Sequence, residues 1–333
     1  MFIVNSYPLA IIFCVITMLC WGSWGNTQKL AGKTWRYELF YWDYVLGVLL
    51  LALIFAFTLG SMGETGRGFI ADFGQADLKN IGSAFLGGII FNAANILLST
   101  AIAIAGMSVA FPVGIGLALV LGVIINYLGS QKGDPVFLFL GVALITVAII
   151  LNAVAYKKAS GGSQKVSSKG ILVSILAGVL MSFFYRFIAA SMDLDNFMSP
   201  AAGKMTPYTA VVIFSLGILV SNFVFNTILM KKPISGEPTN YKAYFGGNFK
   251  IHMVGILGGI IWGVGNSFNL IAAGKAGAAI SYGLGQGATL VAALWGVFIW
   301  KEFKGSSKKT NTMLAVMFVL FVTGILSIIY AGQ

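Results

Sequence analysis

The sequence predicts an all-α integral membrane protein in which ten transmembrane helices form two inverted five-helix repeats. Composition predicts the membrane, because 58% of the residues are hydrophobic and only 9% are charged, whereas a soluble domain carries about 25% charged residues. The number of long apolar runs predicts the number of helices. A match between two segments of the chain predicts the repeat.

A helix needs about 20 predominantly apolar residues to cross the hydrocarbon core of a bilayer. Ten runs meet this requirement and are numbered spans 1 to 10 in chain order: 7–29, 40–60, 81–104, 108–129, 135–156, 170–192, 207–230, 251–273, 277–300 and 311–331. The chain left between these runs is short, so we expect no separate soluble domain.

Residues 87–131 match residues 258–302 without a gap, at a constant offset of 171 residues. Within this match Asn95 aligns with Asn266. The two segments cover spans 3 and 4 and spans 8 and 9. Self-similarity at a fixed offset indicates that one helix pair was duplicated.

A repeat of five crossings has an odd number of helices, so its second copy enters the membrane upside down. We therefore predict a first repeat over residues 1–156, a cytoplasmic linker over 157–169 and a second repeat over 170–333. Inverted repeats build many secondary transporters, and their solute site lies near the midplane between the halves.

Lysine and arginine are distributed unevenly among the loops. If the N-terminus is outside, fifteen of these residues fall in inside loops and five in outside loops. Cytoplasmic loops carry an excess of Lys and Arg, so both termini are predicted outside the cell membrane. The net charge of +11 thus comes from basic residues in the loops, as is typical of a membrane protein. We therefore expect the lipid bilayer as a partner and no nucleic-acid partner.

Polar residues inside the apolar runs are candidate solute-binding residues, because a polar group in lipid is costly. Asn92 and Asn95 lie three residues apart on one face of span 3, and Asn266 and Asn269 lie likewise on span 8. Gln286 lies in span 9. Each amide can donate and accept a hydrogen bond, which suits a neutral solute. Hydrogen bonding between helices is the alternative use.

Two charged residues have two interpretations each. Asp43 at the start of span 2 is either an acid favoured in the first helical turn or the proton-coupling site, since a buried carboxyl can load and release a proton. Arg186 in span 6 either extends to the outer surface or faces the solute.

Aromatic residues in the spans are candidate flat walls for a ring-shaped solute, namely Trp21, Trp24, Tyr185, Trp262 and Tyr282. The single histidine, His252, is interpreted as an interfacial residue at the start of span 8. Since no His, Cys or Glu cluster has metal-ligand spacing and no catalytic triad is visible, we expect neither an enzyme nor a cofactor.

Four short stretches of the chain carry a resemblance to a known family. They are Tyr41-Trp42-Asp43-Tyr44, Pro207-Tyr208-Thr209-Ala210, Gly258-Gly259 leading to Gly265-Asn266, and the run LWGVFIWKEFK over residues 294–304. These stretches resemble the ureide permease family of the drug/metabolite transporter superfamily, and the resemblance covers most of the chain. It implies uptake of neutral, amide-rich heterocycles such as allantoin, uracil or xanthine, together with protons. The related glucose/ribose porters share the architecture and would imply a sugar.

We therefore predict a secondary active transporter that imports a small neutral polar solute, a ureide or nucleobase-like heterocycle, by proton symport. A sugar uptake porter is the nearest alternative. A multidrug or metabolite exporter and a non-transporting membrane scaffold are the alternatives of another class. An exporter of lipophilic cations would carry an acid deep in the membrane, and a scaffold has no use for paired midplane asparagines. A monomer and a homo-oligomer are both compatible with the sequence.

Overall fold

The computed structural model describes residues 1–32, 35–105, 107–159, 168–233 and 236–333, with all their side chains except those of residues 103, 107, 108 and 111. Within these ranges ten helices are long and apolar enough to cross a membrane: Tyr7–Ala31, Tyr37–Phe57, Leu78–Ile102, Pro112–Ser130, Pro135–Ala159, Ser168–Ala190, Pro207–Lys231, Phe249–Ala276, Ala278–Ile299 and Lys308–Tyr330. They correspond to spans 1 to 10, so the predicted all-α membrane class is confirmed. Residues 160–167 of the predicted linker lie outside the described residues.

Two short helices lie between the spans. Phe69–Gln75 follows span 2, and Tyr241–Phe245 precedes span 8. The side chain of Asn240 accepts a hydrogen bond from the backbone of Ala243, which satisfies one of the amides that a helix start leaves unpaired.

Two of the ten spans are interrupted. Span 1 consists of helices Tyr7–Ser23 and Gly25–Ala31, which meet at Trp24. Span 9 consists of Ala278–Gln286, Ala288–Leu294 and a π-helical turn at Trp295–Ile299. The sequence predicts an unbroken run in both places. π-helical turns are rare and occur mostly at functional sites, so the turn at Trp295–Ile299 indicates that span 9 contributes to the functional site.

Spans 3 and 7 cross at glycines with their backbones in contact. A Cβ atom on Gly88 would lie 2.0 Å from the carbonyl oxygen of Phe214, and one on Gly217 would lie 2.2 Å from that of Phe85. No side chain fits in such a gap, so only glycine permits this approach. Close approach gains dispersion contact, which is what holds helices together where lipid is as apolar as the side chains.

Spans 2 and 8 cross in the same way. A Cβ atom on Gly259 would lie 2.0 Å from the carbonyl oxygen of Tyr44, and one on Gly47 would lie 2.2 Å from that of Ile256. The two crossings use equivalent residues. Gly259 and Ile256 lie 171 positions after Gly88 and Phe85, and Gly217 and Phe214 lie 170 positions after Gly47 and Tyr44. The duplicated helix pairs therefore make the same contact twice.

The packing partners of the two halves also correspond. Span 3 packs against spans 6 and 7, and span 8 packs against spans 1 and 2. Span 4 packs against span 6, and span 9 packs against span 1. This correspondence supports a duplication, while the repeat boundaries and the inverted orientation stay predictions.

Candidate functional site

A cavity of about 1100 Å³ lies between the spans. Its mouth is lined by Lys29, Arg36, Tyr156 and Glu302, at the end of the bundle where spans 1, 5 and 9 finish and span 2 begins. This end is called the inner end here, because the distribution of positive charge predicts it to be cytoplasmic. The structure is therefore open towards the inner end.

The floor of the cavity is aromatic. Phe91 of span 3 packs on Trp262 of span 8 with ring centroids 4.5 Å apart, and Trp21 of span 1 stacks on Trp262 at 5.9 Å with the planes 9° apart. Phe184 packs edge-on against Phe91 at 5.2 Å. A flat ring can lie against such faces, and no charged side chain among the described lining residues lies at this depth.

Two amide side chains face the space above the aromatic floor. Asn95 lines the cavity and donates through Nδ2 to the hydroxyl of Tyr41 over 3.1 Å, but its Oδ1 receives no hydrogen bond from the described residues. Gln286 lines the cavity beside the break in span 9, and its side-chain amide makes no hydrogen bond with the described residues. These two side chains thus offer both N–H donors and carbonyl acceptors to a neutral solute.

The mouth, in contrast, is charged, but its charges are paired. Lys29 Nζ lies 3.0 Å from Glu302 Oε1, and Tyr156 donates to Glu302 Oε2 over 2.6 Å. Arg36 pairs with Glu38 at 2.9 Å. Pairing removes most of the field that an unpaired charge would project into the cavity. The arrangement therefore favours a solute without net charge.

The π-turn of span 9 explains how Glu302 reaches the mouth. Glu302 N bonds to the carbonyl of Gly296, and Lys301 adopts a left-handed φ of 52°. A Cβ atom at position 296 would lie 2.7 Å from Glu302 Oε2 and 2.5 Å from the Tyr156 hydroxyl. Glycine at this position is what allows the two side chains to meet.

Asp43 lies outside the cavity lining, in a buried cluster near the inner end. Trp35 Nε1 donates to its Oδ2 over 3.1 Å, the Tyr244 hydroxyl donates to its Oδ1 over 2.8 Å, and His252 Nδ1 lies 2.8 Å from the same Oδ1. Burial and, next, the neighbouring Asp43 carboxylate raise the pKa of Tyr244, so the phenol remains a donor at neutral pH. The pairing of Asp43 with His252 was missed in the sequence, where 209 positions separate them.

Asn92 and Asn269 lie between helices and not in the cavity lining. Asn92 is fully buried, accepts from the Tyr41 hydroxyl over 2.9 Å and donates to Ser221 Oγ over 2.9 Å. Asn269, also fully buried, donates to the carbonyl of Ser281 over 2.8 Å. Both amides make the interhelical bonds that the sequence left open as their alternative use.

Three other candidates also lie outside the cavity lining. Tyr185 and Tyr282 are fully buried and pack against each other at 5.3 Å, and the Tyr282 hydroxyl donates to the carbonyl of Ala118 over 3.0 Å. Arg186 is half-buried and its guanidinium lies against Gly129, at the outer end of span 4. This position matches the interpretation in which the arginine extends to the outer surface.

The remaining two candidates differ in position. Trp24 lines the cavity at the break in span 1 and packs on Tyr44 at 4.7 Å. Asn266 is 1% exposed, does not line the cavity, and makes no side-chain hydrogen bond with the described residues. Phe91 was missed in the sequence, although its alignment with Trp262 at the offset of 171 residues could have found it.

The end of the bundle opposite the mouth is closed by polar contacts between two loops. Asp72 is fully buried, lies 3.1 Å from Arg67 Nε, and accepts from the backbone amide of Thr206 over 2.7 Å. Arg67 Nη2 also donates to the carbonyl of Lys204 over 2.9 Å. We call Arg67, Asp72, Lys204 and Thr206 the outer latch.

Ten spans around a cavity that is open at one end and closed at the other define a membrane transporter. The chain belongs to the ureide permease family, because the sequence model of that family matches residues 40–169 and 157–331. Membership of a permease family indicates a transporter rather than an enzyme.

Individual relatives resemble the chain over most of its length, and one solved structure shares its fold. Ureide permease 1 and ureide permease 2 of Arabidopsis thaliana are each 25% identical to this chain over 98% of its length and 97% of their own. The putative sugar uptake protein YxfA of Lactococcus lactis is 24% identical over 94% of this chain and 95% of its own. A solved crystal structure shares the fold with a TM-score of 0.62 at 14% identity, covering 97% of this chain and 96% of the other.

Proposed function

We propose that the protein imports a small neutral polar solute, a ureide or nucleobase-like heterocycle, by proton symport across the cell membrane. The observation that carries this proposal is the chemistry of the cavity, in which Asn95 Oδ1 and the side-chain amide of Gln286 lie above an aromatic floor without a hydrogen-bond partner among the described residues. The rings of nucleobases and of allantoin are flat or nearly flat and carry N–H and C=O groups in the ring plane. Such a solute can stack on Trp262 and pair with an amide along its edge.

The names of the relatives support the same class of solute. Proteins called ureide permeases align over nearly the whole of this chain. The binding residues in this proposal are Trp24, Asn95 and Gln286 among those predicted from the sequence, with Trp21, Phe91 and Trp262 as the floor.

A sugar is the second candidate solute. Two bacterial relatives named putative sugar uptake proteins align over 94% of this chain, and a sugar ring can also lie on a tryptophan face with its hydroxyls on amides. A sugar differs from a ureide in having no planar N–H and C=O edge.

Uptake of radiolabelled solutes into proteoliposomes tests the proposal. The panel comprises allantoin, uracil, xanthine, glucose and ribose, each with and without an inward proton gradient. We expect gradient-dependent accumulation of at least one of the three heterocycles and no competition by the sugars. Accumulation of the sugars alone would establish the second candidate, and transport of none of the five would overturn the proposal.

We propose that the coupling ion is a proton and that Asp43 binds it, with His252 as its partner. The two side chains are 2.8 Å apart and join spans 2 and 8 to the short helix that carries Tyr244. A proton added to this cluster changes the charge of an acid–imidazole pair that connects three elements. Loading a proton can therefore change how span 8 packs, and span 8 also supplies the cavity floor.

For orientation we propose that both termini are outside and that the 157–169 linker is cytoplasmic. In a variant without Cys14 and Cys20, a cysteine placed in this linker should resist an impermeant thiol reagent in intact cells and react after permeabilisation. The control is Gln131→Cys, in an exposed loop at the opposite end of the bundle, which should react in intact cells. Labelling of the linker but not of position 131 in intact cells would invert the topology.

A further inference from the structure

Spans 2 and 3 run in opposite directions. The Tyr41 hydroxyl bonds to Asn92, and Ser99 Oγ donates to the Tyr37 hydroxyl over 2.9 Å. Residue numbers therefore fall along span 2 as they rise along span 3.

Spans 2 and 8 run in the same direction. Gly255 lies against Asp43, and a Cβ atom at Gly263 would be 3.0 Å from the side chain of Leu51. Residue numbers rise together along both spans. It follows that spans 3 and 8, which bear the matched asparagines, are antiparallel.

The aromatic floor lies at the point where these two antiparallel spans meet. Phe91 and Trp262 are counterparts at the offset of 171 residues, and their rings are 4.5 Å apart. Asn95 and Asn266 each follow their aromatic residue by four positions, which is about one helical turn. Because the spans are antiparallel, Asn95 lies on the inner side of the aromatic pair and Asn266 on the outer side.

The two asparagines are in opposite environments. Asn95 faces the open cavity, whereas Asn266 is 1% exposed and neither its Nδ2 nor its Oδ1 has a hydrogen-bond partner among the described residues. The adjacent Ser267 Oγ, also buried, likewise has no such partner. A buried amide without partners is unfavourable. We therefore expect the side chains of Asn266 and Ser267 to make hydrogen bonds in another state of the protein.

We infer that Asn266 is the outer half-site of the transport path and Asn95 the inner half-site, with the Phe91–Trp262 pair as the barrier between them. In the state open to the outside, the solute amide or carbonyl pairs with Asn266. It then passes the aromatic pair and binds Asn95 when the inner mouth opens. This inference rests on the proposed transport function and adds a second binding position to it.

The outer latch is what keeps Asn266 enclosed in the inward-open state. It joins the loop after span 2 to the loop after span 6. Buried Asp72 accepts from the backbone amide of Thr206, and half-buried Arg67, which pairs with Asp72, donates to the carbonyl of Lys204. Ser267 borders a narrow cleft together with Tyr208 and Ile271, in the same outer half of the bundle. Weakening the latch should favour the state in which this region opens.

Side-specific labelling tests the inference without any solute. Asn95→Cys and Asn266→Cys are made singly in a variant without Cys14 and Cys20, each with and without Asp72→Asn. The probe is an impermeant methanethiosulfonate that carries a quaternary ammonium group. We expect the thiol of Asn95→Cys to react from the inner side only, and that of Asn266→Cys from the outer side only. With Asp72→Asn, labelling at 266 should become about tenfold faster and labelling at 95 slower, as expected for a population shift after loss of charge-assisted hydrogen bonds.

The outcomes separate this inference from the proposed solute. Reaction of Asn266→Cys from the inner side, or no reaction from the outer side in either background, would overturn the outer half-site even if a heterocycle is transported. The expected labelling with no transport of the heterocycles would sustain the half-sites and overturn only the solute. If Asp72→Asn does not fold, Arg67→Gln weakens the same latch from its other partner.

Discussion

Replacing Asp43 with Asn is expected to abolish proton-driven accumulation of the solute while exchange of solute across the membrane continues. Asn cannot bind a proton in the physiological range, but it has nearly the shape of Asp, and its Oδ1 can still accept from Tyr244, which now bonds to Asp43 Oδ1 at 2.8 Å. Only the bond that Trp35 Nε1 now donates to Oδ2 over 3.1 Å is lost, because an amide NH2 cannot accept. The fold and the cavity should therefore persist. Because a transporter without its coupling proton only equilibrates its solute, the accumulation ratio should fall to about one, whatever the gradient.

Glu64→Gln is the matched control, since it neutralises a carboxylate in an exposed loop. It should leave accumulation unchanged. His252→Gln should lower accumulation as well, because the imidazole Nδ1 lies 2.8 Å from Asp43 Oδ1 and is the proposed partner of the proton-binding residue. Full accumulation in Asp43→Asn, with unchanged dependence on pH, would reduce Asp43 to a structural acid at the start of span 2.

Replacing Gly88 with Val is expected to prevent spans 3 and 7 from meeting and so to abolish folded protein. The added Cβ would lie 2.0 Å from a carbonyl oxygen of the facing backbone, and a backbone cannot turn aside as a side chain can. Overpacking a core costs about 1–3 kcal/mol and occasionally more, and a clash with main chain belongs at the upper end. Gly259→Val should have the same effect at the crossing of spans 2 and 8.

Gly82→Val controls for valine in a membrane helix, because Gly82 lies in the same span and a Cβ there meets nothing within 4 Å. The yield of monodisperse protein in detergent and its melting temperature report the effect. Near-normal values for Gly88→Val would show that the helices separate easily, and would contradict the close crossing.

The number of helices could be predicted from the sequence because each span has to bury its own backbone hydrogen bonds in lipid, and this requirement gives every crossing a long apolar run. The duplication of one helix pair could also be predicted, because a match over 45 residues leaves a visible constant offset. The interruptions at Trp24 and in span 9 could not be predicted, because they depend on which neighbours face those turns.

The candidate site was predicted less well, because residue type does not determine which neighbour a side chain faces. Asn92 and Asn95 are the same amino acid on one face of one helix. Yet Asn92 meets Ser221 of span 7, while Asn95, about one turn nearer the inner end, faces the cavity, whose described lining includes no residue of span 7. The contact between Asp43 and His252 likewise arises only from the parallel packing of spans 2 and 8.

This difference between the two asparagines provides the most direct test of the proposed binding site. Asn92→Ala and Asn95→Ala are compared for equilibrium binding of the transported heterocycle and for melting temperature, both on purified protein. Losing one hydrogen bond to a neutral solute costs about 0.5–1.5 kcal/mol, and more if a buried group is left unpaired.

Asn95→Ala should therefore weaken binding by about tenfold, since about 1.4 kcal/mol is one decade in affinity, with little change in melting temperature. Asn92→Ala should lower the melting temperature, because it removes the buried acceptor of the Tyr41 hydroxyl and the hydrogen bond that Ser221 Oγ accepts, and should leave affinity nearly unchanged. Unchanged affinity in Asn95→Ala, or a larger loss of affinity in Asn92→Ala, would contradict a solute site above the Phe91–Trp262 floor.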